Sequence, residues 1–243
     1  MDDSAATDGD LQEQLQAGFR ALGVQQAANA RQLEALQAIY SVLPIETPLP
    51  PILANPWAMT ADGMTLLLEL ILDRKPGMVV ELGSGVSTLI IGYALKKIGG
   101  GRLISVDHDA RFLDETRYHV NRSGLADVVD LRESDFPRLS VGSWSGRWYN
   151  PHRLDDVNDI ELLVVDGPPG SIQPQSRYPA IPCLWPKLHE DAMIFMDDAR
   201  RDDDLAVIKR WQQEIPGLHI RLHETIQGAA VIRRQPIPLD GKR

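Results

Sequence analysis

The sequence predicts an α/β fold: a doubly wound, mainly parallel seven-stranded sheet with a closing antiparallel strand pair, preceded by an N-terminal helical extension. Three observations predict it. Short apolar runs alternate with helix-length segments from about residue 60 onward. One run passes straight into a glycine-containing turn and a helix, in Met78-Val79-Val80-Glu81-Leu82-Gly83-Ser84-Gly85-Val86-Ser87-Thr88. Each of the first five strands also ends in, or is closely followed by, an acidic residue.

Along the chain, residues 1–10 hold four aspartates and no apolar run, which predicts a disordered tip. Residues 11–43 form a helical extension. Leu11, Leu15, Phe19 and Leu22 keep helical spacing, as do Leu33, Leu36, Tyr40 and Leu43. The alanine-rich polar middle, with Gly23 at its start, allows one long helix or two shorter ones. That extension either packs along the main domain or pairs with a second copy of the chain. Prolines 44, 48, 50 and 51 make residues 44–55 a rigid linker. The main domain spans 56–234, and 235–243 is a C-terminal tail.

Within the domain, Met64–Leu72 reads as an apolar helix stopped by Pro76-Gly77. Met78–Leu82 is the first strand, and a helix follows over Ser87–Ile98 until Gly99-Gly100-Gly101. Leu103–Val106 is the second strand. Ala110–Arg122 is a helix closed by Gly124, a residue suited to a left-handed cap. Val128–Leu131, Ile160–Val165 and Ala192–Met196 are the third to fifth strands, and Leu205–Trp211 is the helix after them. Leu218–Leu222 and Ala229–Ile232 form the closing pair around Gln227-Gly228.

Composition narrows the function. The net charge of −9 argues against broad electrostatic binding of nucleic acid or an anionic membrane. A lone cysteine, Cys183, excludes an internal disulfide and any multi-cysteine zinc site. No apolar stretch approaches a membrane span, and the acidic start lacks a signal core, so the expected location is the cytoplasm.

In such a sheet, ligands bind beyond the carboxyl ends of the strands. The glycine turn lacks the third glycine of a dinucleotide fingerprint, since Thr88 stands there. Glu81 suits a cationic ligand better than a pyrophosphate. Asp107 lies 22 residues beyond Gly85, where a carboxylate can accept both ribose hydroxyls. Asp135-Phe136 can bond an adenine amine and cover its ring. The fourth strand ends at Asp166-Gly167, the fifth at Asp197-Asp198.

Over about residues 56–234 these features resemble the class I S-adenosylmethionine-dependent methyltransferases, a Rossmann-like group. Within that group Glu81–Thr88, Val165-Asp166-Gly167 and Phe195-Met196-Asp197-Asp198 resemble the small-molecule O-methyltransferase branch. The resemblance implies S-adenosylmethionine as cofactor. Glu81, Gly83, Ser84, Gly85 and Asp166 would sit at its methionine end, with Ser87 and Thr88 at the helix start. Asp107 would hold the ribose and Asp135 with Phe136 the adenine, with His108 beside it. The implied activity is methyl transfer to a small hydroxylated acceptor, a natural product, sugar or polysaccharide unit. Alternatives are a nicotinamide-dependent oxidoreductase and a non-catalytic cofactor-binding scaffold.

In catechol-type relatives, acids at the positions of Asp166, Asp197 and Asp198 hold a divalent ion, which implies magnesium here. Two departures stand against it. Asp198 replaces an asparagine, and Pro169 stands where those relatives carry a lysine base. The base is therefore open among Asp166, Asp198, His189 and the metal itself. Asp202, Asp203 and Asp204 read as a helix cap. Residues 137–158 form a long segment with Trp144, Trp148, Tyr149 and His152. The two tryptophans, four apart, either share a helical face that walls the acceptor or cap the domain. Trp57 could close the pocket's other side, Arg177 could read an anionic acceptor or cap a helix, and Trp185 and Trp211 suit packing.

Overall fold

The computed structural model describes residues 4–53 and 55–234. Seven strands form one sheet: β1 (Met78–Leu82), β2 (Arg102–Asp107), β3 (Val129–Glu133), β6 (Ile160–Val165), β7 (Leu188–Asp197), β8 (Leu218–His223) and β9 (Ala229–Arg234). Their spatial order is β3-β2-β1-β6-β7-β9-β8. The first five are parallel, and β9 runs antiparallel to both β7 and β8. This is the expected sheet with its closing pair. The chain leaves β1 toward β2 on one side and returns to β6 on the other, so a crevice opens at the carboxyl ends of β1 and β6. Register levels those ends: Leu82 pairs with Val165, and Val165 with Met196. Asp166 and Asp197 therefore emerge side by side.

Alternation along the strands builds a core on each face. Val79, Leu162, Val164, Met193 and Phe195 face α2 (Ala61–Arg74) and α3 (Val86–Ile98). Val80, Leu163, Val165, Ile194 and Met196 face the opposite layer, where Trp211 of α6 (Asp202–Glu214) is fully buried. Trp211 Nε1 donates to the Tyr178 carbonyl at 2.8 Å, which anchors that helix. The helix α4 (Ala110–Arg122) starts on Asp109, whose carboxylate accepts from the Arg111 amide at 3.0 Å.

The N-terminal extension is one helix, α1, Ser4–Val42. It takes in residues 4–10 of the expected disordered tip, while residues 1–3 and the tail 235–243 lie outside the described residues. Its C-terminal third docks on α2. Gln32, 4% exposed, accepts from the Ala61 amide at 2.6 Å and so satisfies an orphan N–H at the start of α2. Residues 11–27 are exposed throughout.

The segment 137–158 departs from expectation. It holds a hairpin of β4 (Arg138–Val141) and β5 (Trp144–Arg147), followed by a short 3-10 helix at Pro151–Leu154. Trp144 is 6% and Trp148 1% exposed, both within the core, so they cap the domain and do not wall a pocket. The short helix α5 (Ala180–Leu184) precedes β7. Among the described residues no helix is long and apolar enough to cross a membrane.

Candidate functional site

The site starts beneath the glycine turn. Glu81 is expected to face the ligand; instead it is fully buried under the turn. Its carboxylate accepts from Ser87 Oγ and Thr88 Oγ1, each at 2.6 Å, and from Ser105 Oγ at 2.7 Å. Thr88 Oγ1 in turn accepts from the Gly85 amide at 2.9 Å. Ser84 Oγ bonds Ser105 Oγ at 2.8 Å. The acid, two α3 residues and one β2 residue thus brace the turn from below. Burial raises the Glu81 pKa to about 7 against the lowering pull of its three hydroxyl donors. Ser87 and Thr88 belong to this brace; the expected ligand contact from their side chains is replaced by bonds to Glu81.

Above the brace, Gly83 has φ +97°, and a Cβ there would lie 3.2 Å from the Asp166 carbonyl carbon and the Gly167 nitrogen. Glycine is required both by conformation and by this close approach. A Cβ on Gly85 would meet nothing within 4 Å on the cavity side. Asp107, 7% exposed, accepts from the amides of Ser84 (2.7 Å) and Asp109 (2.9 Å). These bonds aim its carboxylate along the cavity wall.

A cavity at the carboxyl edge of the sheet brings together Gly83, Ser84, Gly85, Asp107 and His108 with Asp166, Asp197 and Asp198 across from them. Trp57 and Phe112 also line it. The remaining expected residues lie elsewhere. Asp135 points to solvent, 60% exposed, and accepts from Asn150 Nδ2 at 3.1 Å. Phe136 sits behind His108, stacked with ring centroids 4.3 Å apart, so His108 and not Phe136 presents its ring to the cavity. His189 lies away from the cavity: it is the second residue of β7, eight residues and roughly 25 Å from Asp197 at the other end of the strand.

Asp166, Asp197 and Asp198 converge, with one ligand atom of each within 4.8 Å of the others. Burial, then the Asp197 charge, pushes Asp166 well above the usual carboxylate range. Burial, then Asp198, raises Asp197 to about 7. Asp198 holds a left-handed φ of +61°, a conformation that aspartate adopts more readily than most residues with a side chain.

Two residues that the sequence reading named without placing them at the strand ends, Arg177 and Tyr149, line the cavity. Arg177, expected to read an anionic acceptor or cap a helix, is 3% exposed and turns inward onto these strand ends, where its guanidinium donates to Asp166, Asp197 and Asp198. Tyr149 is 2% exposed and lines the cavity. A Cβ on Gly167 would lie 2.3 Å from its hydroxyl, so Gly167 is needed where the ring passes. Burial, then the Asp107 charge, holds the Tyr149 hydroxyl well above its ordinary pKa.

Guanidinium groups already meet part of the charge of these carboxylates. Asp198 Oδ2 already accepts from both Arg177 Nη2 and Arg201 Nη1, each at 2.7 Å. Asp166 Oδ1 lies 3.4 Å from the same Arg177 nitrogen. Asp197 Oδ1 and Asp198 Oδ1 are buried without a hydrogen-bond partner, which suits a cationic or hydroxyl-bearing ligand entering from the cavity.

Residues 80–199, just under half of the chain, match a family model described as a methyltransferase domain. The fold is similar to a methyltransferase from Podospora anserina solved with S-adenosylhomocysteine, at 16% identity and TM-score 0.61, over 90% of this chain and 96% of that one. It is similar to a Bacillus cereus O-methyltransferase in complex with S-adenosylhomocysteine, at 17% identity and TM-score 0.57, over 85% and 91%. It is also similar to a Streptomyces achromogenes O-methyltransferase involved in tomaymycin synthesis, solved with S-adenosylmethionine, at 13% identity and TM-score 0.57, over 86% and 90%. No curated protein sequence matches the chain. Fold and matched segment agree on a methyltransferase domain of Rossmann-like architecture.

Proposed function

We propose that the chain transfers the methyl group of S-adenosylmethionine to a hydroxyl oxygen of a small acceptor, such as a natural product, sugar or polysaccharide unit. The observation that carries this reading is the pairing of two walls in one cavity. Gly83–Gly85 with Asp107 form a cradle for a nucleoside with a methionine tail, and partly unbonded carboxylates face it. The bound cofactor supplies an electrophilic methyl group, so the protein has mainly to orient and to accept a proton.

Each residue then has a task. Gly83 and Gly85 let the backbone approach the cofactor. Asp107 accepts the ribose hydroxyls. Asp166 faces the cationic methionine end, which favours the charged cofactor over its neutral product. Asp197, with Oδ1 unpaired and a pKa near 7, takes the proton of the acceptor hydroxyl as oxygen attacks carbon. Trp57 and Phe112, both exposed at the rim, offer apolar faces to the acceptor. The test is transfer of labelled methyl from S-adenosylmethionine to a panel of hydroxylated and amine acceptors. Label in ether linkage supports the reading, and label found only on nitrogen refutes it.

We also propose that α1 pairs with α1 of a second copy of the chain. Leu11, Leu15, Phe19 and Leu22, each more than half exposed, form one stripe. Glu13 and Arg20 fall on the opposite face, and a projecting helix of this length is marginal alone. Light scattering of the full chain should give twice the monomer mass, and the double variant L15E/L22E the monomer mass. A wild-type monomer overturns the pairing.

A further inference from the structure

We propose that Arg177 is the built-in counter-cation of the Asp166–Asp197–Asp198 cluster, taking the place of a divalent ion and positioning the carboxylates for the cofactor. The proposal deepens the methyltransferase reading and rests on it.

The guanidinium is held from three strand-end residues. Nη1 donates to the Asp197 carbonyl at 2.9 Å, and Nη2 to the Asp166 carbonyl at 2.8 Å and to Asp198 Oδ2 at 2.7 Å. Asp204 Oδ1 lies 3.8 Å from Nη1. Two of these acceptors are main-chain carbonyls, so the cation is tied to the sheet itself. Its neighbours are fixed as well: Ser176 Oγ donates to the Pro168 carbonyl at 3.0 Å, and the Gln175 amide to Asp203 Oδ2 at 2.7 Å.

Three converging carboxylates need positive charge nearby. A planar fork with five donors supplies it in fixed directions, which a lysine or a hydrated ion does not. Burial works against the charge of Arg177, but Asp166, Asp204 and Asp198 outweigh it and keep the guanidinium protonated. A second cation on Asp198 Oδ2 would sit against the two guanidinium groups already bonded to it. The missing lysine fits this arrangement: Pro169 carries no charge, and the positive charge enters eight residues later. The oxygens that Arg177 leaves unbonded, Asp197 Oδ1 and Asp198 Oδ1, remain for ligand.

The test combines thermal unfolding and calorimetry on the full chain, with Mn2+, with Mg2+ and with a chelator. Wild type should show no saturable metal-dependent rise in Tm, and its affinity for S-adenosylhomocysteine should not change on chelation. Arg177→Met should lose about tenfold or more in that affinity and gain a saturable Mn2+ response, while Arg177→Lys recovers part of the affinity. A saturable Mn2+ rise in wild type that Asp197→Asn removes would overturn the proposal. So would an Arg177→Met protein with unchanged affinity and no metal response. If that variant does not fold, the wild-type metal and chelator measurements decide. Wild type that ignores both metal and S-adenosylhomocysteine points to failure of the methyltransferase reading instead.

Discussion

Replacing Glu81 by Gln isolates the brace beneath the turn. Glutamine keeps the shape and the hydrogen bonds, because Ser87 Oγ can accept from the new amide while Thr88 and Ser105 still donate to the carbonyl. What it removes is ionisation. The folded chain holds Glu81 at about 7 against 4.5 for the unfolded chain, through burial. Between those values the folded state binds more protons than the unfolded one, so stability falls as pH rises through that window. Below it, both states are protonated and nothing is lost. Above it, both are ionised and the loss is complete, at about 3 kcal/mol. Urea unfolding at about pH 5 and about pH 8 gives the wild-type difference, and Glu81→Gln should reduce it by up to that amount. If the two proteins show parallel pH profiles, the buried acid does not titrate as described and the brace is wrongly drawn.

Three further outcomes follow from the site. Asp107→Asn should weaken S-adenosylhomocysteine binding about 10- to 100-fold by calorimetry and lower Tm as well, because it removes a charged acceptor and leaves the Ser84 or the Asp109 amide facing an NH2 group. Gly83→Ala should abolish that binding, since a Cβ at φ +97° would press on Asp166 and Gly167; a twofold change would contradict the close approach. His189→Ala should leave methyl transfer unchanged, and a large fall in rate would show that the amino end of β7 reaches the chemistry.

The sheet was legible because its strands are apolar runs cut by glycine, proline or acid. Met78–Leu82, Ala110–Arg122 and Ile160–Val165 have the observed limits. The strand-end position of Asp107, Asp166 and Asp197 followed from the same pattern. The β4–β5 hairpin was not legible. Gly146 interrupts its alternation because a Cβ there would lie 2.3 Å from Gln173 Nε2, and the spacing of Trp144 and Trp148 imitates a helix. Glu81 misled because an acid at a strand end does not show which way it turns; the hydroxyls that claim it come from α3 and β2. His189 misled because β7 begins at Leu188, not at Ala192, which moves it to the far edge of the sheet. Arg177 lies in the loop between β6 and α5, where no periodicity shows which way a long side chain turns, so its place at the strand ends was not legible.

Calorimetry with S-adenosylhomocysteine and with NAD on the full chain tests the central claim most directly. The account predicts saturable binding of S-adenosylhomocysteine that Asp107→Asn weakens, and none of NAD. Saturable binding of NAD without binding of S-adenosylhomocysteine would contradict it.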